Sequence, residues 1–186
     1  MDKNHSQSGM RDNALQGKRI LITGGGTGLG KELARSFSAR GAAVHICGRR
    51  KNVLDETVDE LQKTAAHGGS VESHICDVRD ADQIEAMMHK AQKDLGGIDI
   101  LVNNAAVLRD KTMKKMQMDE WQDVIDTNLS SVFRLSQAVL RPMMKARGGR
   151  IINITSIVGH MGNAGQANYA AAKAGVSGMT RALARE

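Results

Sequence analysis

The chain has 186 residues, 41% of them hydrophobic, and a formal charge of +6; that length suits one domain with one sizeable core. Aromatic residues make up only 2% and the cations are dispersed, which argues against a base-stacking nucleic-acid surface. No run approaches the ~18 consecutive apolar residues of a membrane helix.

Residues 1–16, MDKNHSQSGMRDNALQ, lack the apolar centre of a secretory signal and read as a polar, mobile arm ahead of a folded unit over 17–186. A short apolar strand is expected over Lys18 to Thr23, and a helical pattern from about Leu29 to Arg40. Between them lies Thr23-Gly24-Gly25-Gly26-Thr27-Gly28-Leu29-Gly30. Glycines between a strand and a helix allow a tight turn and a close backbone approach to a pyrophosphate, while the helix N-terminus supplies a positive field. This turn is therefore expected to bind a dinucleotide.

A second strand is expected over Ala43 to Cys47, followed by a helix over Lys51 to Ala65. An NAD site places an acidic residue about 20 positions beyond the glycine turn, on the ribose hydroxyls. Here Gly48-Arg49-Arg50-Lys51 offers no carboxylate. A guanidinium at Arg49 suits a ribose 2′-phosphate and so favours NADP(H), whereas Arg50 and Lys51 read as a solvated helix start. The third strand, Val71 to Cys76, leads to Asp77 and Val78; Asp77 is either an acceptor for an adenine amino group or a turn former. Cys47 and Cys76 stand in apolar runs without metal-ligand spacing, which fits buried reduced thiols in a cytoplasmic protein and no metal site.

A helix over Ala81 to Leu95 precedes a fourth strand, Ile98 to Val102, and a long helical pattern runs from about Asp119 to Ala146. The fifth strand is Arg150 to Ile154, and the last helix starts near Ala167. Regular alternation of helices with near-continuous apolar strands argues a parallel sheet covered on both faces. Tyr169 and Lys173, four apart in that last helix, share one face at roughly 6 Å. The ammonium is expected to favour ionisation of the phenol. Ser156, thirteen residues before Tyr169, would sit at the carboxyl end of the fifth strand, where open α/β sheets bind ligands.

Together these residues resemble the short-chain dehydrogenase/reductase family, and from Ile98 onward the chain is most similar to its 3-oxoacyl-[acyl-carrier-protein] reductases. The resemblance rests on the TGxxxGxG turn, Asp77, the Asn103-Asn104-Ala105-Ala106 run, Asn128 in DTNLSSVF, Ser156, and Tyr169-xxx-Lys173. It implies a Rossmann-type doubly wound parallel sheet whose strands 1–5 lie in this sequence. The family's strands 6 and 7, its Pro-Gly turn and its substrate-covering segment do not, and the fifth strand would be left as an apolar edge.

The same resemblance implies a cofactor site of Thr23, Gly24, Thr27, Gly28, Leu29, Gly30, Arg49, Asp77, Val78, Asn104 and Ala105, completed by Tyr169 and Lys173. Tyr169 would be the general acid, Lys173 would hold the nicotinamide ribose, Ser156 would bind the substrate oxygen, and Asn128 would anchor a water relaying protons to Lys173. Asn103 would fix the end of the fourth strand. Ala106 stands where the family commonly has Gly, and Thr27 where many NADP(H)-using members carry a cation.

A 3-oxoacyl thioester is the substrate the resemblance implies. Another carbonyl or alcohol, such as a sugar or polyol, and a non-catalytic NADP(H)-binding role stay open. Lys145, Arg147 and Arg150 either meet an acidic acyl carrier protein or complement a helix end. The resemblance also implies a homodimer that pairs the last two long helices, with Trp121, Met143 and Met144 either partly exposed apolar surface there or core packing.

Overall fold

The computed structural model describes residues 12–186. Five parallel strands form one sheet in the order β3-β2-β1-β4-β5. They are β1 (Arg19–Thr23), β2 (Ala43–Gly48), β3 (Ser70–Ile75), β4 (Ile100–Asn103) and β5 (Arg150–Asn153). The order reverses between β1 and β4, so a crevice opens at their carboxyl ends, the usual ligand position in such sheets.

Alternation along the strands divides the core in two. Ile20, Ile22, Val44, Ile46 and Val102 face α1 (Gly28–Ser38) and α2 (Lys51–Gln62), packing with Ala34, Leu54 and Leu61. Leu21, Cys47 and Leu101 face the other way, against Ile84 and Met87 of α3 (Ala81–Leu95) and Leu135 and Val139 further along. The central strands are buried on both faces, which is why they read as unbroken apolar runs. Asp80 caps α3 by accepting hydrogen bonds from the backbone N–H groups of Asp82 and Gln83, and Gly96, at φ +73°, ends it in the left-handed region.

Several boundaries differ from the sequence expectation for identifiable reasons. β4 begins at Ile100 rather than Ile98, because Asp99 turns its carboxylate to the Arg19 guanidinium, with contacts of 2.6 and 2.9 Å. The helix expected over Asp119 to Ala146 is interrupted. It runs as α4 (Met118–Ile125), a π turn (Asp126–Ser130) and α5 (Ser131–Lys145). A short α6 (Val158–Met161) precedes α7 (Ala167–Leu183).

Residues 1–11 of the expected arm lie outside the described residues. The rest of it, 12–16, forms turns in which the Leu15 N–H donates to the Arg40 carbonyl at 3.1 Å, and Leu15 packs against the core. No described helix is long and apolar enough to cross a membrane. Of the three apolar residues read as either surface or core, Met144 is exposed, Trp121 is half-buried, and Met143 belongs to the core.

Candidate active site

The glycine turn is shaped by close approaches. Gly24, at φ +65°, lies where an added Cβ would come within 2.9 Å of the Ala105 Cα. A Cβ on Gly30 would sit 2.3 Å from the Gly24 carbonyl oxygen, so only glycine lets α1 start this close to the turn. Thr23 is buried beneath this turn. Its hydroxyl accepts hydrogen bonds from the Asn104 and Ala105 N–H groups, both at 3.0 Å, while the Asn104 amide donates to the Thr23 and Gly24 carbonyls at 3.0 and 3.1 Å. Thr23 and Asn104 thus staple the ends of β1 and β4 together.

A cavity of 290 Å³ opens at this switch point. Of the residues expected to hold a cofactor, Gly24, Thr27, Arg49, Asp77, Val78, Asn104 and Ala105 line it. Thr23 and Gly30 shape the turn from beneath, and Leu29 is exposed on α1. Gly28, Tyr169 and Lys173 are also outside the lining.

Sequence reasoning missed several walls of the cavity, among them Gly48, Val53, Leu54 and Thr127. Arg50, read as a solvated helix start, lines it beside Arg49, so the end of β2 presents two guanidiniums and no carboxylate. Ala106 stands exposed at the lip, where its methyl group meets solvent.

Asp77 is not a bare acceptor. Both carboxylate oxygens receive hydrogen bonds from the Arg79 guanidinium, at 2.5 to 3.1 Å. These bonds hold its carboxyl below the ordinary aspartate range, with the positive charge of Arg49 adding to the effect. Arg79 also pairs with Asp123, and Asp123 with Arg109. An ion-pair chain therefore runs from the cavity wall to the loop that follows β4.

That loop leads to the chemical residues. Asn128, fully buried in the π turn, accepts a hydrogen bond from the Val107 N–H at 2.8 Å and donates to the Val107 carbonyl at 2.9 Å. Both ends of its side-chain amide thus clamp Val107, a residue of the cavity wall. Asn103, on β4, donates to Asn153 of β5 at 2.8 Å, and Asn153 donates to Thr180 of α7 at 2.8 Å. This relay ties β4 and β5 to α7.

Tyr169 and Lys173 lie one turn apart on α7, with the Lys173 Nζ 5.7 Å from the Tyr169 ring centre. Lys173 is only 3% exposed, and its ammonium donates to the Ile154 carbonyl at 2.7 Å. Burial pushes its pKa down, because the charged form loses hydration that one carbonyl only partly replaces. Ser156 is half-buried just beyond β5, and its hydroxyl accepts a hydrogen bond from the Val158 N–H at 3.2 Å as α6 begins. Gly159 lets α6 press against α7: a Cβ there would meet the Ala174 N at 2.8 Å and the Lys173 carbonyl carbon at 2.9 Å. The Ser156 loop is thereby held against the turn of α7 that carries Lys173.

A further residue of this region escaped the sequence reading. Asn168 is fully buried; it donates to the carbonyls of Arg109 at 3.0 Å and Glu120 at 3.4 Å, while its own oxygen accepts the Tyr169 N–H at 2.8 Å. A polar residue beside the Tyr on an otherwise alanine-rich helix was the available signal.

A glycine turn at a topological switch point, with a Ser, a Tyr and a buried Lys gathered past the fifth strand, is the frame on which the family comparison bears. Residues 18–186 match the family model described as short chain dehydrogenase. The chain belongs to the short-chain dehydrogenase family. It is 47% identical over 172 residues to the 3-oxoacyl-[acyl-carrier-protein] reductases FabG of Vibrio cholerae and of Escherichia coli K12, covering 92% of this chain and 68% of each relative. Among solved structures it is similar to a variant of the actinorhodin polyketide ketoreductase with NADPH, at 36% identity and a TM-score of 0.84. That match covers 89% of this chain, which spans 64% of the ketoreductase chain. Family members are oxidoreductases that bind a nicotinamide cofactor, and the glycine turn, the crevice and the paired guanidiniums fit such a group.

Proposed function

We propose that this chain is an NADPH-dependent reductase that converts a 3-oxoacyl thioester into the 3-hydroxyacyl product. The observation that carries the reading is the buried Lys173 ammonium beside Tyr169, together with a crevice where the end of β2 offers Arg49 and Arg50 and the Asp77 carboxylate opposite is already engaged by Arg79. Two guanidiniums favour a 2′-phosphate over free ribose hydroxyls.

When bound, the nicotinamide supplies a hydride to the substrate's carbonyl carbon. Tyr169 donates the proton that the resulting alkoxide oxygen needs, and Ser156 donates a hydrogen bond to that oxygen as charge develops there. Lys173 supplies a fixed positive charge and a donor toward the cofactor ribose. With the Asn128 side chain clamped on Val107, a water serving Lys173 would use the Asn128 backbone carbonyl, in a π turn of the kind often found at functional sites.

The thioester class is favoured by the FabG relatives and the polyketide ketoreductase, whose names concern 3-oxoacyl or polyketide substrates. Exposed Lys145, Arg147 and Arg150 lie around the α5–β5 turn, a cationic rim suited to an acidic acyl carrier protein. A homodimer through α4, α5 and α7 would cover Met144, which is 71% exposed.

Thermal unfolding with NADPH and with NADH tests the cofactor assignment. At 100 times its dissociation constant NADPH should add about 2.7 kcal/mol, and NADH should add little at the same concentration. Turnover of a 3-oxoacyl thioester should then exceed that of sugar-type ketones, and Tyr169→Phe should abolish it while sparing NADPH binding. Cofactor binding without turnover in the parent chain would reduce the role to binding alone.

A further inference from the structure

His45 lies midway along β2 on the face that packs against α3, between the buried Val44 and Ile46. It is 2% exposed, and its Nε2 makes no hydrogen bond among the described residues. Burying a polar nitrogen unpaired is costly, and an aliphatic side chain would fill this place more cheaply. The nearest opposite charge is the Glu72 carboxylate, 3.2 Å away, on the residue paired with His45 across β3. Asp94, in the last turn of α3, completes a group whose three ligand atoms lie within 4.8 Å of one another.

We propose that His45, Glu72 and Asp94 form a binding site for a divalent cation of the zinc class, which pins β3 and the end of α3 to β2. One imidazole nitrogen and two carboxylates are a donor set that zinc accepts, whereas magnesium and calcium prefer oxygen alone. The 3.2 Å separation of Nε2 and the Glu72 oxygen is close to the edge of a zinc tetrahedron, about 3.3 Å for bonds of ~2.0–2.1 Å.

His45 is fixed by packing, while the Glu72 and Asp94 side chains are 59% and 24% exposed and can turn onto the ion. Asp94 now pairs with Lys90, whose side chain is 48% exposed; a dication would displace that ammonium into water. With three protein ligands, a water would complete the tetrahedron. None of the three residues lines the cofactor cavity, so the site's role is to brace the fold.

The test is calorimetric titration of chelator-treated protein with zinc chloride, with magnesium and calcium chlorides in parallel, followed by thermal unfolding. One zinc per chain should bind and raise the midpoint by several degrees. Glu72→Gln and Asp94→Asn, both near the surface and expected to fold even if a His45 variant does not, should each weaken zinc at least tenfold. His89→Gln, at an exposed histidine elsewhere on α3, should leave it unchanged. Zinc affinity unaltered by both carboxylate variants would overturn the site, as would equal affinity for magnesium. Stabilisation that follows pH and ignores zinc would overturn it too, leaving a His45–Glu72 ion pair.

Discussion

On the β2 side of β1, Ile20, Ile22, Val44 and Ile46 are fully buried between the sheet and the helices α1 and α2. On the far side, β5 leaves Ile152 42% exposed and Ile151 and Asn153 half-buried. The cofactor cradle rests mainly on this apolar packing, with the Thr23–Asn104 staple above it. The catalytic region buries less and depends more on directed polar contacts: Asn103 to Asn153 to Thr180, Asn128 to Val107, Asn168 to Arg109, and Lys173 to Ile154. Apolar burial is non-directional and sets stability, whereas hydrogen bonds lose strength steeply with angle and distance and so set position.

The division predicts different consequences for the two kinds of substitution. Ile46→Ala removes a fully buried side chain from the cradle and should cost about 2–5 kcal/mol in denaturant unfolding. The fraction that remains folded should keep its turnover per molecule. A loss of turnover without a matching loss of stability would show that the cradle also sets catalytic geometry.

Asn168→Ala acts on the other side. It leaves the Arg109 and Glu120 carbonyls and the Tyr169 N–H without their partner, a loss of about 1–3 kcal/mol. Turnover should fall further than that stability loss explains, because the N-terminal turn of α7 carries Tyr169. Asn168→Asp keeps the acceptor for Tyr169 but not the donor to the loop, so it separates the two contacts. Unchanged turnover in both variants would break the comparison.

These contrasts follow what could be read from the sequence. The sheet, the glycine turn and the Tyr169–Lys173 pair were legible because their signals are local: an apolar run, a turn composition, a four-residue spacing. The π turn was not, since one extra residue per turn barely disturbs the apolar spacing from Val124 to Leu135. The four-residue α6 is too short to carry a period. Val53, Leu54 and Thr127 became cavity walls, and Arg50 a cavity residue, only when β2 and the π turn were brought to the same crevice. Asn168 looked like one polar residue on a helix until its three partners were in place.

Lys173 offers a subtler test, because its burial is a cost to the free protein. Its lowered pKa means that, between the folded value and the ordinary 10.5, the unfolded chain binds a proton that the folded chain does not. Stability should therefore rise with pH through that window, and the full cost should be present below it. Lys173→Met should remove the slope and stabilise the cofactor-free chain by about 0.5–2 kcal/mol, while turnover is lost. Destabilisation instead would mean that the bond to Ile154 outweighs desolvation of the ammonium.

The smallest effect is expected on the cradle's outer surface, where Glu60 of α2 accepts hydrogen bonds from Lys31 and Arg35 of α1. These two cations lower its pKa from 4.5 to about 2. A depressed carboxyl contributes stability above the unfolded value and loses it as pH falls through the folded one, so this contribution should be whole above 4.5 and fade toward 2. The group is exposed and screened, so Glu60→Gln should barely move the neutral-pH midpoint. The variant should, however, lose less stability than the parent on going from pH 4.5 to 2, which acid titration of both proteins at low salt would read. A large neutral-pH loss would instead mean that charged contacts, and not only the apolar layer beneath, hold α1 to α2.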